Sequence, residues 1–287
     1  MLLLTVTIWA LNFTVSKYIL DAGLRPLPYS SLRYTAAALV FIAVTYPRER
    51  SFRIARGDLP IVGLAILLLL TNQLSFVYAL DLTTATTAAL LFGTLPIFTA
   101  LISRLVGIET LSRRFWIAAS MSFAGVVLVT AGSGKSVSAN LGGDLLAVLG
   151  AATWGAYSVA IAPLMRRYSP FRLSAVFLAA VSIALLLLAS PKLGDQSFDI
   201  GWTAWVGFAF AVLGPLVLTN VLWFTAIDEV GPARASLFAN LQPFLAAIIA
   251  LILLDERLTA VQVAGGLAIA AGIVISRERR PPLGPAE

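Results

Sequence analysis

The chain has 287 residues, 59% of them hydrophobic and 12% charged, with a mean hydropathy of +0.92. So little polar surface cannot coat a soluble globule of this length, which makes the chain an integral membrane protein, and the absence of the alternating strands a barrel requires makes it an all-α one. Its net charge of +6 excludes less than it suggests, because the basic residues sit in short breaks between apolar runs, where they meet lipid headgroups and not nucleic acid.

A bilayer core of roughly 30 Å takes about 20 apolar helical residues. Ten such runs follow one another: 2–20, 29–46, 59–80, 84–106, 113–131, 145–165, 171–190, 203–227, 233–254 and 259–276. Turn residues separate them, among them Arg25-Pro26-Leu27-Pro28, Gly132-Ser133-Gly134 and Gly231-Pro232. The first run has neither a basic leader nor a small-residue cleavage site, so it is taken as a span. Residues 277–287, with Pro281-Pro282, read as a disordered tail.

In the first run Thr5, Trp9, Asn12 and Ser16 recur at helical spacing and share one face. An Asn in lipid costs several kcal/mol without a partner, so this face is expected to point inward, either to bond a neighbouring helix or to line a cavity. Lys17 reads as the only ionisable side chain well inside a run; it either snorkels to the interface or meets a substrate carboxylate. Arg33 is grouped with Arg25 as a charge flanking the membrane.

The third and eighth runs both carry Thr-Asn followed by an aromatic residue: Thr71-Asn72 with Gln73 and Phe76, and Thr219-Asn220 with Trp223. Amides and aromatics facing one another would form an amphipathic pocket. The fourth and ninth runs match Ala89, Gly93, Pro96 and Ala100 with Ser236, Asn240, Pro243 and Ala247. Each proline frees a carbonyl one turn earlier, so Gly93, Pro96 and Pro243 are candidate gating positions, the alternative being a static kink. Trp154, Tyr157 and Ser158 lie at mid-depth in the sixth run. Glu109 and Glu256 sit in turns before the fifth and tenth runs, where Ser112 and Thr259 are natural N-caps and a carboxylate favours the helix terminus.

Sliding the chain back by about 147 positions sets Pro243 on Pro96, Glu256 on Glu109, Asp228 on Asp81 and Gly272 on Gly125 without a gap, which is an internal repeat. The halves are expected to be 1–132 and 145–276, joined by a linker at 133–144. Five spans per half is an odd number, so the second half enters the membrane upside down. Two inverted five-helix halves with a midplane site are a secondary-transporter architecture. Arg48, Arg50, Arg53, Arg56, Arg104, Arg113, Arg114, Arg166, Arg167 and Arg172 crowd the breaks on one side, which places both termini in the cytoplasm.

The opening Trp9-x-x-Asn12-Phe13, the paired Pro96 and Pro243 runs, and the Asp255-Glu256-Arg257-Leu258 turn followed by Gln262, Gly265, Gly266 and Gly272 resemble the ten-span, EamA-type branch of the drug/metabolite transporter superfamily. The first copy departs from the pattern, with Gly107-Ile108-Glu109-Thr110 at the turn and Ala118-Ala119 where the second has two glycines. The resemblance implies transport through a cavity lined by the first, third and fourth spans of each half, with the fifth spans peripheral. It leaves the substrate open.

The expected function is export of a small amphipathic metabolite, an amino acid or related compound, across the cell (inner) membrane by alternating access. Drug efflux is the alternative. An enzyme or a lipid-handling protein is a distant third, since a chain without Cys or His offers Ser, Thr and Tyr nucleophiles but no buried acid or imidazole to activate them. No catalytic residue, metal or cofactor is expected, and the chain is either a monomer or a homodimer. Trp9, Asn12, Ser16, Asn72, Phe76, Trp154, Tyr157, Asn220, Trp223 and Asn240 are the candidate substrate contacts, with Lys17 for a carboxylate. A mid-membrane Asp, Glu or His to carry a coupling proton is missing, which points to facilitated diffusion, to exchange, or to coupling through an interfacial acid.

Overall fold

In the computed structural model, which describes residues 1–134, 140–254 and 259–276, the described chain is helical throughout, without strands. The helices are α1 (Leu2–Asp21), α2 (Pro26–Glu49), α3 (Leu59–Leu82), α4 (Ala85–Phe92), α5 (Leu95–Leu105), α6 (Arg113–Gly132), α7 (Leu141–Ile161), α8 (Pro170–Leu193), α9 (Trp202–Val212), α10 (Thr219–Val230), α11 (Pro232–Leu237), α12 (Gln242–Leu254) and α13 (Ala260–Ser276). Eight helical stretches among the described residues are long and apolar enough to cross a membrane.

Local chemistry explains where helices start. Thr84, Asn140 and Ser169 accept hydrogen bonds from the backbone N–H groups of Thr87, Gly143 and Arg172, at 3.1, 2.9 and 3.0 Å. Thr259 and Gln262 form a reciprocal capping box, the Gln262 N–H donating to Thr259 Oγ1 and the Thr259 N–H to Gln262 Oε1. Ser112 stands at the N-cap of α6 without a side-chain bond.

The radial pattern inverts that of a soluble protein. Leu39, Leu64, Leu67 and Leu187 are exposed, whereas Ser16, Ser30, Ser31, Thr99, Ser122 and Asn240 are fully buried. An apolar exterior suits hydrocarbon, and polar side chains turn inward where bonding partners exist.

The proline-bearing runs break further than a kink. The fourth stops at Gly93-Thr94 and restarts as α5 with Pro96 in its first turn; the ninth passes from α11 through a 3₁₀ turn, Phe238–Leu241, into α12 with Pro243 in its first turn. A proline ring clashes with the preceding turn but is tolerated in the first turn of a new helix. Between α9 and α10 lies a π-helical turn, Leu213–Leu218, immediately ahead of Thr219-Asn220.

Packing pairs α2 with α8, α3 with α7, α6 with α13, α1 with α9 and α12, and α5 with α7 and α11. The α6–α13 pair is close. A Cβ on Gly125 would lie 2.6 Å from the Gly265 carbonyl oxygen, and one on Gly272 would lie 2.7 Å from that of Ala118. Gly265 therefore packs against the chain's own α6, and Gly266 against the Phe244 ring.

Candidate functional site

Side chains from both halves of the chain line a common cavity. Trp9, Asn12 and Phe13 come from α1, Arg33 and Tyr34 from α2, and Asn72, Gln73 and Phe76 from α3. Phe92 and Leu95 enter at the α4–α5 break, Trp154 from α7, Pro215 and Leu216 from the π turn, and Gln242 from the start of α12. The π turn presents its residues here because an extra residue per turn rotates the helix face.

The walls are aromatic. Phe13, Phe76 and Phe92 meet edge to face at centroid distances of 5.4–6.0 Å, and Trp9 lies 5.4 Å from Trp154 and 4.9 Å from Trp223. Trp9 is held by its indole N–H, which donates to Thr219 Oγ1 at 2.9 Å. Amides supply the polar part. Asn72 Nδ2 donates to the Gly150 carbonyl at 2.8 Å, tying α3 to α7, and Asn12 Oδ1 accepts from Ser16 Oγ at 3.2 Å.

At the centre of the polar part stands Arg33, 3% exposed. Its Nη1 donates to Tyr29 Oη at 3.0 Å and, at 3.5 Å, approaches Asn12 Oδ1; Nη2 donates to Gln73 Oε1 at 2.9 Å. The guanidinium lies 5.0 Å from the Tyr29 ring centroid and 6.0 Å from that of Phe76. Among the described residues no carboxylate pairs with it.

Of the ten candidate contacts read from the sequence, Trp9, Asn12, Asn72, Phe76 and Trp154 line this cavity. The other five stand behind it. Ser16 bonds Asn12 and Tyr29; Tyr157 is buried against Phe177 and Phe224; Trp223 donates its indole N–H to Ser158 Oγ at 3.2 Å; Asn240 donates to Ser122 Oγ at 3.2 Å; Asn220 is buried in α10. Gly93 ends α4 against Val126. Pro243 borders a second cavity along α1, α4, α6, α12 and α13, which shares Phe13 and Gln242 with the first.

Two sequence expectations need correction. Lys17 is not the only ionisable side chain inside a helix: it pairs with Asp21 at 3.1 Å and lies away from the cavity, while Arg33, grouped with the flanking charges, is buried on it. The available signal was the four-residue spacing of Tyr29 and Arg33, which stacks them on one face of α2. Nor does Glu109 serve its own helix. Its carboxylate crosses to accept the Ala233 N–H at 2.9 Å and fills the space a side chain at Gly231 would need. Glu256 and its turn lie outside the described residues.

Away from the cavity, ion pairs clamp one end of the bundle. Arg167 meets Asp58 at 2.6 Å, and Arg172 meets Glu49 at 2.8 Å, joining the α2–α3 connection to the α7–α8 connection.

A family model described as the EamA-like transporter family matches the chain twice, over residues 1–131 and 141–277. The chain belongs to the EamA-like transporter family. Relatives of this EamA-like protein include the uncharacterized transporter YyaM of Bacillus subtilis, 25% identical over 92% of this chain and 88% of that one. The uncharacterized inner membrane transporter YedA of Escherichia coli is 26% identical over 94% and 87%. A probable amino-acid metabolite efflux pump of Salmonella typhimurium is 25% identical over 96% and 92%. A crystal structure superposes with a TM-score of 0.75 at 19% identity over 95% of this chain and 96% of the other, which establishes a shared fold. The protein is thus a membrane transporter, and its multiple apolar helices embed it in a bilayer.

Proposed function

We propose that this EamA-like protein exports a small amphipathic metabolite, an amino acid or a related compound, across the cytoplasmic membrane by alternating access. The first cavity carries the reading. It has aromatic walls, a few amides and contributions from both halves, the composition of a site that holds an apolar body and orients a polar group. The Salmonella relative's name points to the same class of cargo.

On this reading ten spans form two inverted halves with both termini in the cytoplasm. The helix pairing supports it: exchanging equivalent spans maps α2–α8 and α6–α13 onto themselves, α3–α7 onto α1 with α9 and α10, and α5–α7 onto α1–α12. The Arg167–Asp58 and Arg172–Glu49 pairs lie at the Arg-rich connections, so they close the cytoplasmic end. The test is saturable counterflow through purified protein in proteoliposomes, with amino acids, nucleosides and lipophilic drugs as competitors. Amino-acid competition is expected; absence of saturable flux for every compound refutes transport of this class.

A further inference from the structure

We propose that Arg33 binds the carboxylate of the transported compound; this rests on the first cavity being the substrate site. Arg33 is 3% exposed, borders that cavity and has no acid to neutralise it among the described residues. Tyr29 and Gln73 occupy its two terminal nitrogens with neutral acceptors, while Nε is buried with no partner at all. A second buried donor, the Trp154 indole N–H, also lacks an acceptor and belongs to another residue of the same lining. Buried donors are normally satisfied, so two unmatched ones on one cavity call for an acceptor brought by the ligand.

An arginine in low dielectric is a costly group to hold without a counter-charge. One monoanionic carboxylate would neutralise it and bring an acceptor to a lining that holds two unpartnered donors. A phosphate dianion would leave one charge without a partner in an apolar enclosure, because the lining contains no second cation. Asn12 and Asn72 then address the polar atoms beside the carboxylate, and the apolar body rests on Phe13, Phe76 and Trp9.

The test is a binding assay in detergent, by ligand-induced thermal stabilisation and tryptophan quenching. N-acetylphenylalanine is set against N-acetylphenylalaninamide and N-acetylleucine against its amide, with inorganic phosphate as a separate arm. Each acid should bind at least about tenfold more tightly than its amide, and phosphate should not compete. Arg33→Gln should erase the acid-over-amide ratio, a readout independent of how much variant folds, and Arg33→Lys should recover part of it. Because Trp154 Nε1 bonds nothing in the protein, Trp154→Phe should weaken acid binding several-fold while amide binding changes less. Equal binding of acid and amide, no binding of either acid, preference for phosphate, or an unchanged ratio in Arg33→Gln overturns the inference. Absence of counterflow for acids and amides alike, with acid binding retained, overturns the transport reading instead.

Discussion

Placing a leucine at Gly125 tests the close approach of α6 and α13. A Cβ there would stand 2.6 Å from the Gly265 carbonyl oxygen and 2.7 Å from Ile269 Cγ1, where ordinary contact begins near 3.4 Å. α13 must therefore retreat by about 0.8 Å before the rest of the side chain is accommodated. The carbonyl is backbone and cannot rotate away, so the cost falls at the upper end of the overpacking range, about 3 kcal/mol. Replacing Gly inside a helix returns up to about 1 kcal/mol of propensity, leaving a net loss of about 2 kcal/mol, a fall of roughly 4–8 °C in Tm. Thermal unfolding in detergent measures this, with Gly63→Leu as the control because a Cβ at Gly63 meets nothing within 4 Å. If Gly125→Leu melts at or above wild type while Gly63→Leu behaves as expected, α6 and α13 do not approach as described.

Two further outcomes are expected. Burial lifts the Glu109 carboxyl above 4.5, with the Ala233 N–H and the Arg234 charge opposing only in part. The folded state then binds the proton more tightly than the unfolded one, so stability is highest below 4.5, falls as pH rises through the raised value, and levels off above it. Glu109→Gln, which keeps an acceptor for Ala233, should lose that slope in Tm measured across about pH 4–8; a parallel slope in the variant counts against the assignment. The second concerns the broken spans. Pro96→Ala and Pro243→Ala lie in first turns, where Ala costs under about 1 kcal/mol, yet Ala lets the helix run through the break. Counterflow should drop several-fold with Tm nearly unchanged, and undiminished flux in the double variant rules out a gating role.

Much of the helical layout was legible in the sequence because hydropathy responds directly to the bilayer. The run at 113–131 became Arg113–Gly132, and that at 59–80 became Leu59–Leu82. Trp9 and Asn12 were legible as an inward stripe because an amide in hydrocarbon must find a partner. The π turn at Leu213–Leu218 was not, since its residues are as apolar as their neighbours and only the backbone bonding distinguishes it. The same holds for the breaks at Gly93 and Phe238–Leu241, where proline announced a bend but not a restart.

By itself, then, the sequence determined a helical membrane protein, the register of Pro96 on Pro243, and a set of polar residues that had to face inward. Tertiary structure alone decided that Arg33 is buried on the cavity while Lys17 pairs with Asp21 away from it, that Glu109 reaches another helix, and that Gly265 packs on Gly125. The physical reason is common to all three. A membrane helix is apolar on its lipid face and largely apolar on its packed face, so periodicity does not tell one from the other. Which neighbour a side chain meets depends on how helices cross, and that is settled by packing between segments far apart in the chain.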